Sequence, residues 1–261
     1  MIDYSKALIR IRAQKPLVHC IANIVTANDC ANLLLAIGAS PMMAQAEEEM
    51  ADIAAISSAA VLNLGTPDEN RFKLAALRCA LANRHGHPAV LDPVGVGASR
   101  WRLTGVQRAL KRFTPAIVRV NLSEAQALLG ETTREHGVDS AAGGADAERA
   151  DCAAALARQL RSIVLLSGEA DFISDGARTE RVEGGSAMTA MVTGSGCMLS
   201  ALCGAFAAVE PDALRAAAFA SAFWKDCAAL AEQNAQGRGP GSFRVALIDA
   251  AYTISIRSMN S

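Results

Sequence analysis

The residues best suited to chemistry lie in Met191-Val192-Thr193-Gly194-Ser195-Gly196-Cys197-Met198-Leu199-Ser200. Two glycines flank a serine, and an apolar run compatible with a helix, Met198 to Val209, follows at once. Thr193 or Ser195 can cap that helix, and the glycines let the backbone turn so that several N–H groups point one way. Unpaired N–H groups at the positive end of a helix dipole make an anion site. Cys197 then falls in the first turn, where the same field is expected to lower a thiol pKa. The pattern predicts a phosphate cradle with a nucleophile or base beside it. Taken alone, a Gly-x-Gly before a buried helix is more often just a tight turn.

Other candidates stand in or just after short apolar runs. Asn121-x-x-Glu124 follows one such run and opens a helix. In isolation it reads best as a capping box; its functional reading has Glu124 orienting Mg²⁺ through water, since hard cations take oxygen ligands and keep part of their hydration shell. Arg119 sits inside the preceding apolar run, where a buried guanidinium calls for an anionic partner, and a phosphate is favoured over a structural ion pair. Asp92 precedes a proline and a glycine loop. It is either a turn aspartate bonding its own backbone or a carboxylate near a metal and a transferred phosphoryl group. His85-Gly86-His87 lacks further ligands at zinc spacing and reads as a solvated turn. His19, in an apolar run, reads as a hydrogen-bonded core histidine. No Walker A sequence, dinucleotide fingerprint or G-x-S-x-G elbow is present.

These residues need a scaffold that brings them together. The 261 residues are 51% hydrophobic and only 4% aromatic, so an ample, alanine-rich core is expected. Short apolar runs at Pro16–Ile21, Ser40–Ala44, Ala60–Leu64, Pro88–Leu91, Ala116–Val120 and Ile163–Ser167 alternate with helical stretches. A hairpin turning at Asp175-Gly176 and a mostly helical last third follow. That alternation predicts an α/β fold, a mostly parallel sheet covered by helices on both faces, in a single domain over 1–261. Ligands of such sheets bind beyond the carboxyl ends of the strands, where Asn23, Gly65, Asp92, Asn121 with Glu124, and Ser167 converge. Residues 131–146 are polar and glycine-rich and read as a mobile surface loop.

A net charge of −1 gives no field to draw in nucleic acid or an acidic membrane, and the expected partner is a small molecule. Seven cysteines without a C-x-x-C pair suit a reducing cytoplasm. No run reaches the ~18 apolar residues that a membrane span requires.

Taken together, the motifs resemble the hydroxyethylthiazole kinase family over nearly the whole chain. They are Pro16-Leu17-Val18-His19-Cys20 with Asn23, Gly38-Ala39-Ser40-Pro41-x-Met43, Leu62-Asn63-Leu64-Gly65-Thr66, Leu91-Asp92-Pro93-Val94-x-Val96-Gly97, Arg119-x-Asn121-x-Ser123-Glu124, Ser167-Gly168-Glu169-x-Asp171, Val192-Thr193-Gly194-x-Gly196-Cys197 and Gly239-Pro240-Gly241-Ser242-Phe243. The resemblance implies a three-layer ribokinase-like fold and a homotrimer with active sites between subunits. It also implies phosphorylation of the alcohol of 4-methyl-5-(2-hydroxyethyl)thiazole by ATP and Mg²⁺, in thiamine biosynthesis or salvage. By the same resemblance Asn23, Met43, Gly65 and Gly194 line the substrate. Arg119, Ser167 and Asp92 meet ATP, and Glu124 and Asp92 serve the metal. Gly194, Ser195, Gly196 and Cys197 form the catalytic turn, with Cys197 where most ribokinase-like enzymes carry an aspartate base. The chain departs from the pattern at Ala22, Val120 and Ser167, where relatives tend to carry threonine, glycine and threonine. Ala190-Met191 stands where a lysine usually precedes the turn, which predicts weaker ATP binding. Alternatives within the fold are a kinase of another small alcohol, such as a hydroxymethylpyrimidine, and an ATP-dependent NAD(P)HX dehydratase. The latter would be expected to keep the aspartate at position 197.

Overall fold

In a computed structural model, residues 2–130 and 142–259 are described. In chain order the elements are α1 (Ser5–Gln14), β1 (Leu17–Ile21), α2 (Ala27–Ala36), β2 (Ser40–Met42), α3 (Met50–Ile56), β3 (Ala59–Asn63), α4 (Glu69–His85), β4 (Ala89–Asp92), α5 (Arg100–Leu110), β5 (Ile117–Val120), α6 (Leu122–Leu129), α7 (Ala142–Leu160), β6 (Ile163–Leu166), β7 (Asp171–Ser174), β8 (Thr179–Val182), α8 (Ser195–Ala207), α9 (Ala213–Ala235) and α10 (Pro240–Arg257). The strands form one eight-stranded sheet in the order β2-β1-β3-β4-β5-β6-β7-β8. From β2 to β6 every pairing is parallel, and β7 and β8 add an antiparallel hairpin at the far edge.

Strand alternation sorts the core into two layers. Val18, Cys20, Val61, Val90, Ile117 and Leu165 face α1, α2, α8, α9 and α10. Ile21, Leu62, Leu91, Val118, Val120 and Leu166 face α4, α5, α6 and α7. Because both faces are covered, the strands read as continuous apolar runs rather than alternating ones. The result is a three-layer α/β architecture.

Local signals fix the helix ends near the sheet's carboxyl edge. Asp68 accepts the Arg71 N–H at 2.6 Å to start α4, and Ser99 accepts the Arg102 N–H at 3.2 Å to start α5. α2 begins with Thr26 at its cap, so neither Asn28 nor Asp29 caps it. Asp29 is drawn instead into an ion pair with Arg244 of α10. The polar stretch expected as a loop is partly helical, since α7 already opens at Ala142. Residues 131–141 of that stretch lie outside the described residues.

Candidate active site

Asp92 ends β4 and is fully buried. Its Oδ2 accepts hydrogen bonds from Asn63 Nδ2 at 2.9 Å and Ser200 Oγ at 2.7 Å. Its Oδ1 has no hydrogen-bond partner and lies 3.6 Å from Arg119 Nη1. Burial is the main force on this carboxyl and holds it up at about 6, against the pull of Arg119 and with the repulsion of Glu124. Burial works against the charge of the Arg119 guanidinium, but Asp92 and Glu124 overcome it and leave the group above its ordinary value.

Arg119 points from β5 to the start of α8. Its Nη2 donates to Ser167 Oγ at 2.7 Å. A side chain at Gly196 would overlap the guanidinium, so only glycine lets the cation lie flat against this turn. Gly194, at φ 83°, takes the left-handed conformation that opens the turn. It caps α8 by its backbone alone, where the sequence suggested Thr193 or Ser195. Ser195 N–H is spent on the Val192 carbonyl at 3.3 Å. The Gly196 and Cys197 N–H groups have no acceptor among the described residues. Two free amides at a helix N-terminus beside a largely buried guanidinium make an anion site.

Glu124 forms a capping box: Asn121 Oδ1 accepts the Glu124 N–H at 2.9 Å, and Glu124 Oε2 accepts the Asn121 N–H at 2.9 Å. Its Oε1 also accepts the Gly95 N–H at 2.8 Å, tying the β4–α5 loop to α6. The structural and functional readings of Glu124 are therefore compatible, because each oxygen retains a lone pair. Among the described residues no cluster of three or more His, Cys, Asp or Glu side chains could hold a metal by itself. The unpartnered, buried Asp92 Oδ1 near Glu124 nevertheless fits a Mg²⁺ ion that arrives with phosphate oxygens and water completing its shell.

The other side of the turn is a small cavity lined by Cys20, Asn23, Thr26, Cys30, Asn63 and Cys197, among others. Thr26 packs against Gly194, and the Asn23 side chain closes over Gly65. Gly65 N–H donates to Asn63 Oδ1 at 3.0 Å. Met43, just beyond β2, is half-buried against the α2–α8 layer and does not line this cavity. Cys197 does stand in the first turn of α8, yet its thiol is pushed up rather than down. Burial is the leading cause and the Asp92 carboxylate adds to it, outweighing Thr26, Asn63 and Arg119. At neutral pH the residue is a thiol.

The sequence reading thus finds Asp92, Arg119, Ser167 and the 194–197 turn in one place, with Asn23 and Gly65 across the turn. It missed Asn63, Ser200 and Thr26. The signals were available: a single hydroxyl in the apolar run of α8, and a single amide inside a buried strand.

The sequence profile of the Hydroxyethylthiazole kinase family matches residues 8–257. The chain belongs to the hydroxyethylthiazole kinase family. A relative from Listeria monocytogenes serovar 1/2a, named hydroxyethylthiazole kinase, is 44% identical over 98% of this chain and 94% of its own length. The solved structure of hydroxyethylthiazole kinase from Pyrococcus horikoshii OT3 superposes with a TM-score of 0.85 at 37% identity, covering 97% of this chain and 94% of that one. A ribokinase-like superfamily protein from Enterococcus faecalis V583 matches with a TM-score of 0.61 at 14% identity, over 98% of this chain and 89% of its own, which shows the shared fold. The three-layer sheet of this hydroxyethylthiazole kinase family member is thus ribokinase-like.

Proposed function

We propose that this chain transfers the terminal phosphoryl group of ATP to the alcohol of 4-methyl-5-(2-hydroxyethyl)thiazole, serving thiamine synthesis or salvage. Family membership supports the reaction class. The observation that carries it at the level of atoms is the pair of free amides at Gly196 and Cys197 beside the Arg119 guanidinium. Those donors face the position where negative charge builds on the transferring phosphoryl group. Ser167 holds Arg119 toward the nucleotide, and Asp92 keeps the guanidinium charged and oriented. Asp92, with Glu124 acting through water, would hold Mg²⁺. When bound, that ion neutralises charge on the nucleotide phosphates.

Asn23 lines the cavity on the alcohol's side, Gly65 and Gly194 adjoin it through Asn23 and Thr26, and Met43, outside that cavity, is assigned to this side by the family resemblance alone. A loose transition state leaves the proton on the alcohol until late, so a Cys197 thiol that only orients the hydroxyl is sufficient. The missing lysine at Ala190-Met191 leaves Arg119 as the principal cation of the site, and ATP is expected to bind more weakly as a result.

The site reads as half-open. Ile24 is 77% and Val25 61% exposed directly beside Asn23, which supports a homotrimer whose neighbouring copy covers this edge. All seven cysteines are buried, and among the described residues no helix is long and apolar enough to cross a membrane. The buried thiols fit a reducing cytoplasm, and the single eight-stranded sheet fits one domain.

A coupled assay for ADP release tests the reaction, with the thiazole alcohol, a hydroxymethylpyrimidine and hydrated NADH offered in parallel. Turnover confined to the thiazole alcohol is the expected result. Preference for either competitor overturns the assignment. Sedimentation at the mass of three chains tests the trimer.

A further inference from the structure

We propose that the buried His19–Arg78 pair positions the loop after β2, and with it the acceptor side of the site, through the hydrogen bond between His19 Nε2 and the Ala44 carbonyl. The inference rests on the kinase reading only where it names the acceptor alcohol. Arg78, on α4, is fully buried, and no carboxylate among the described residues pairs with it. Its Nε–H donates to His19 Nδ1 at 2.8 Å, and its Nη2 donates to Ser57 Oγ at 2.5 Å. Arginine can only donate, so His19 Nδ1 must accept. The imidazole is thereby fixed as the neutral tautomer with its proton on Nε2. That proton is donated to the Ala44 carbonyl at 2.9 Å.

A donor chain thus runs from α4, through β1, to the residue after Met43. Arg71 works beside it. Seven positions before Arg78, it lies on the same face of α4 two turns earlier. Its Nη1 donates to the Ala22 carbonyl at 2.6 Å, next to Asn23, and its Nη2 to Gln45 Oε1 at 3.0 Å. Glu49 Oε1 accepts the Ala46 N–H at 3.3 Å. Ala44 and Gln45 are each held by a side chain reaching in from another segment, and Ala46 by Glu49 within the same connection.

The device has a pH sense. The ionisable groups facing His19 are Arg78 from α4 and Glu49 at the start of α3, while its neighbours in the sheet, Met42 and Ala60, carry no charge. Burial is the main force holding His19 below its ordinary 6.5, and Arg78 adds to it against the Ala44 bond and Glu49. A proton on Nδ1 would set donor against donor and charge against charge. The chain is intact above that lowered value and lost as pH falls through it.

Steady-state kinetics of the full chain, from pH 5 to 8, test the proposal. In the wild type, KM for the alcohol is expected to rise severalfold below pH 6.5. His19→Gln, whose amide nitrogen can reach Ala44 and does not titrate, is expected to keep the neutral-pH KM and flatten that rise. His19→Asn, which keeps an acceptor for Arg78 but falls short of Ala44, is expected to raise the alcohol KM up to about tenfold at every pH, the equivalent of one lost hydrogen bond. KM for ATP should stay unchanged in both. A Gln variant with the wild-type pH dependence, or equal effects on both substrates, overturns the proposal.

Imidazole ¹⁵N spectra of the substrate-free protein read the same device without turnover, which separates its failure from that of the kinase reading. The Nε2-protonated tautomer is expected, with the Gln45 and Ala46 amides shifting at the pH where His19 titrates. An Nδ1-protonated ring, or amides that ignore the titration, overturns it even if no variant folds.

Discussion

Asp92 and Arg119 stand on β4 and β5, Ser167 follows β6, and the three touch one another or share a guanidinium, whereas Asn23, Gly65 and Met43 follow β1, β3 and β2 and are held from behind. Under the proposed function the site therefore divides along the sheet into a phosphoryl half and an acceptor half, with the N-terminus of α8 between them. On the phosphoryl half, charged groups are buried and bonded to each other before any ligand arrives, which is electrostatic preorganisation. On the acceptor half the supports are Arg71, Arg78 and His19, none of which lines the cavity. Damage to the first half should reach the chemistry directly. Damage to the second should appear in alcohol binding.

The largest expected break lies at Arg119. Arg119→Met removes the cation from beside the free amides and leaves the buried Asp92 carboxylate unpaired. Loss of one preorganised donor of this kind costs roughly 10²–10³ in kcat, read from ADP release at saturating substrates. A kcat within threefold of wild type would show that the amides alone hold the phosphoryl charge. Gly196→Ala should come next. Its methyl group displaces the guanidinium without removing it. A rise of about tenfold in KM for ATP, equivalent to ~1.4 kcal/mol, with the alcohol KM unchanged would confirm the division of the site.

The strand ends and the charged residues inside apolar runs were legible because they violate their surroundings. Arg119 in a buried strand and Asp92 before a glycine loop stand out in one dimension. Arg71 and Arg78 do not, since on a helix that also carries Lys73 and Arg84 they read as part of a solvated face. Only the packing of α4 on the sheet buries Arg78 against His19. The Cys197 thiol shows the same limit. Its place in the first turn of α8 was readable, but the desolvation and the Asp92 charge that outweigh the helix field come from other segments.

A pH profile sharpens the comparison at moderate cost. Asp92 must be a carboxylate to pair with Arg119, so kcat is expected to fall as pH drops through about 6. Stability moves the other way. The folded value lies above the ordinary 3.8, so between the two the folded chain binds more protons and gains stability as pH falls. Cys197→Ser should leave this limb in place and change kcat only a few-fold. A limb that vanished in the serine variant would return the proton-accepting role to Cys197.

The smallest expected effect tests whether the acceptor half depends on contacts far from it. Arg244 of α10 grips Asp29 of α2 with its Nε at 3.0 Å from Oδ1 and its Nη2 at 2.5 Å from the same oxygen. Asp29 lies one turn after Thr26, which packs on Gly194. Arg244 is 51% exposed, so solvent screens the pair and its loss is worth about 1 kcal/mol at most. Arg244→Ala should therefore lower Tm by no more than about 2–4 °C. If α2 transmits the change, the alcohol KM rises by less than about threefold, in line with ~1 kcal/mol or less, while KM for ATP holds still. The double variant with Asp29→Asn should add nothing further to either reading, because the pair is a single interaction. An effect on ATP binding instead would mean that the turn at Gly194 couples the halves, and that the line drawn between β3 and β4 is not a boundary for energy.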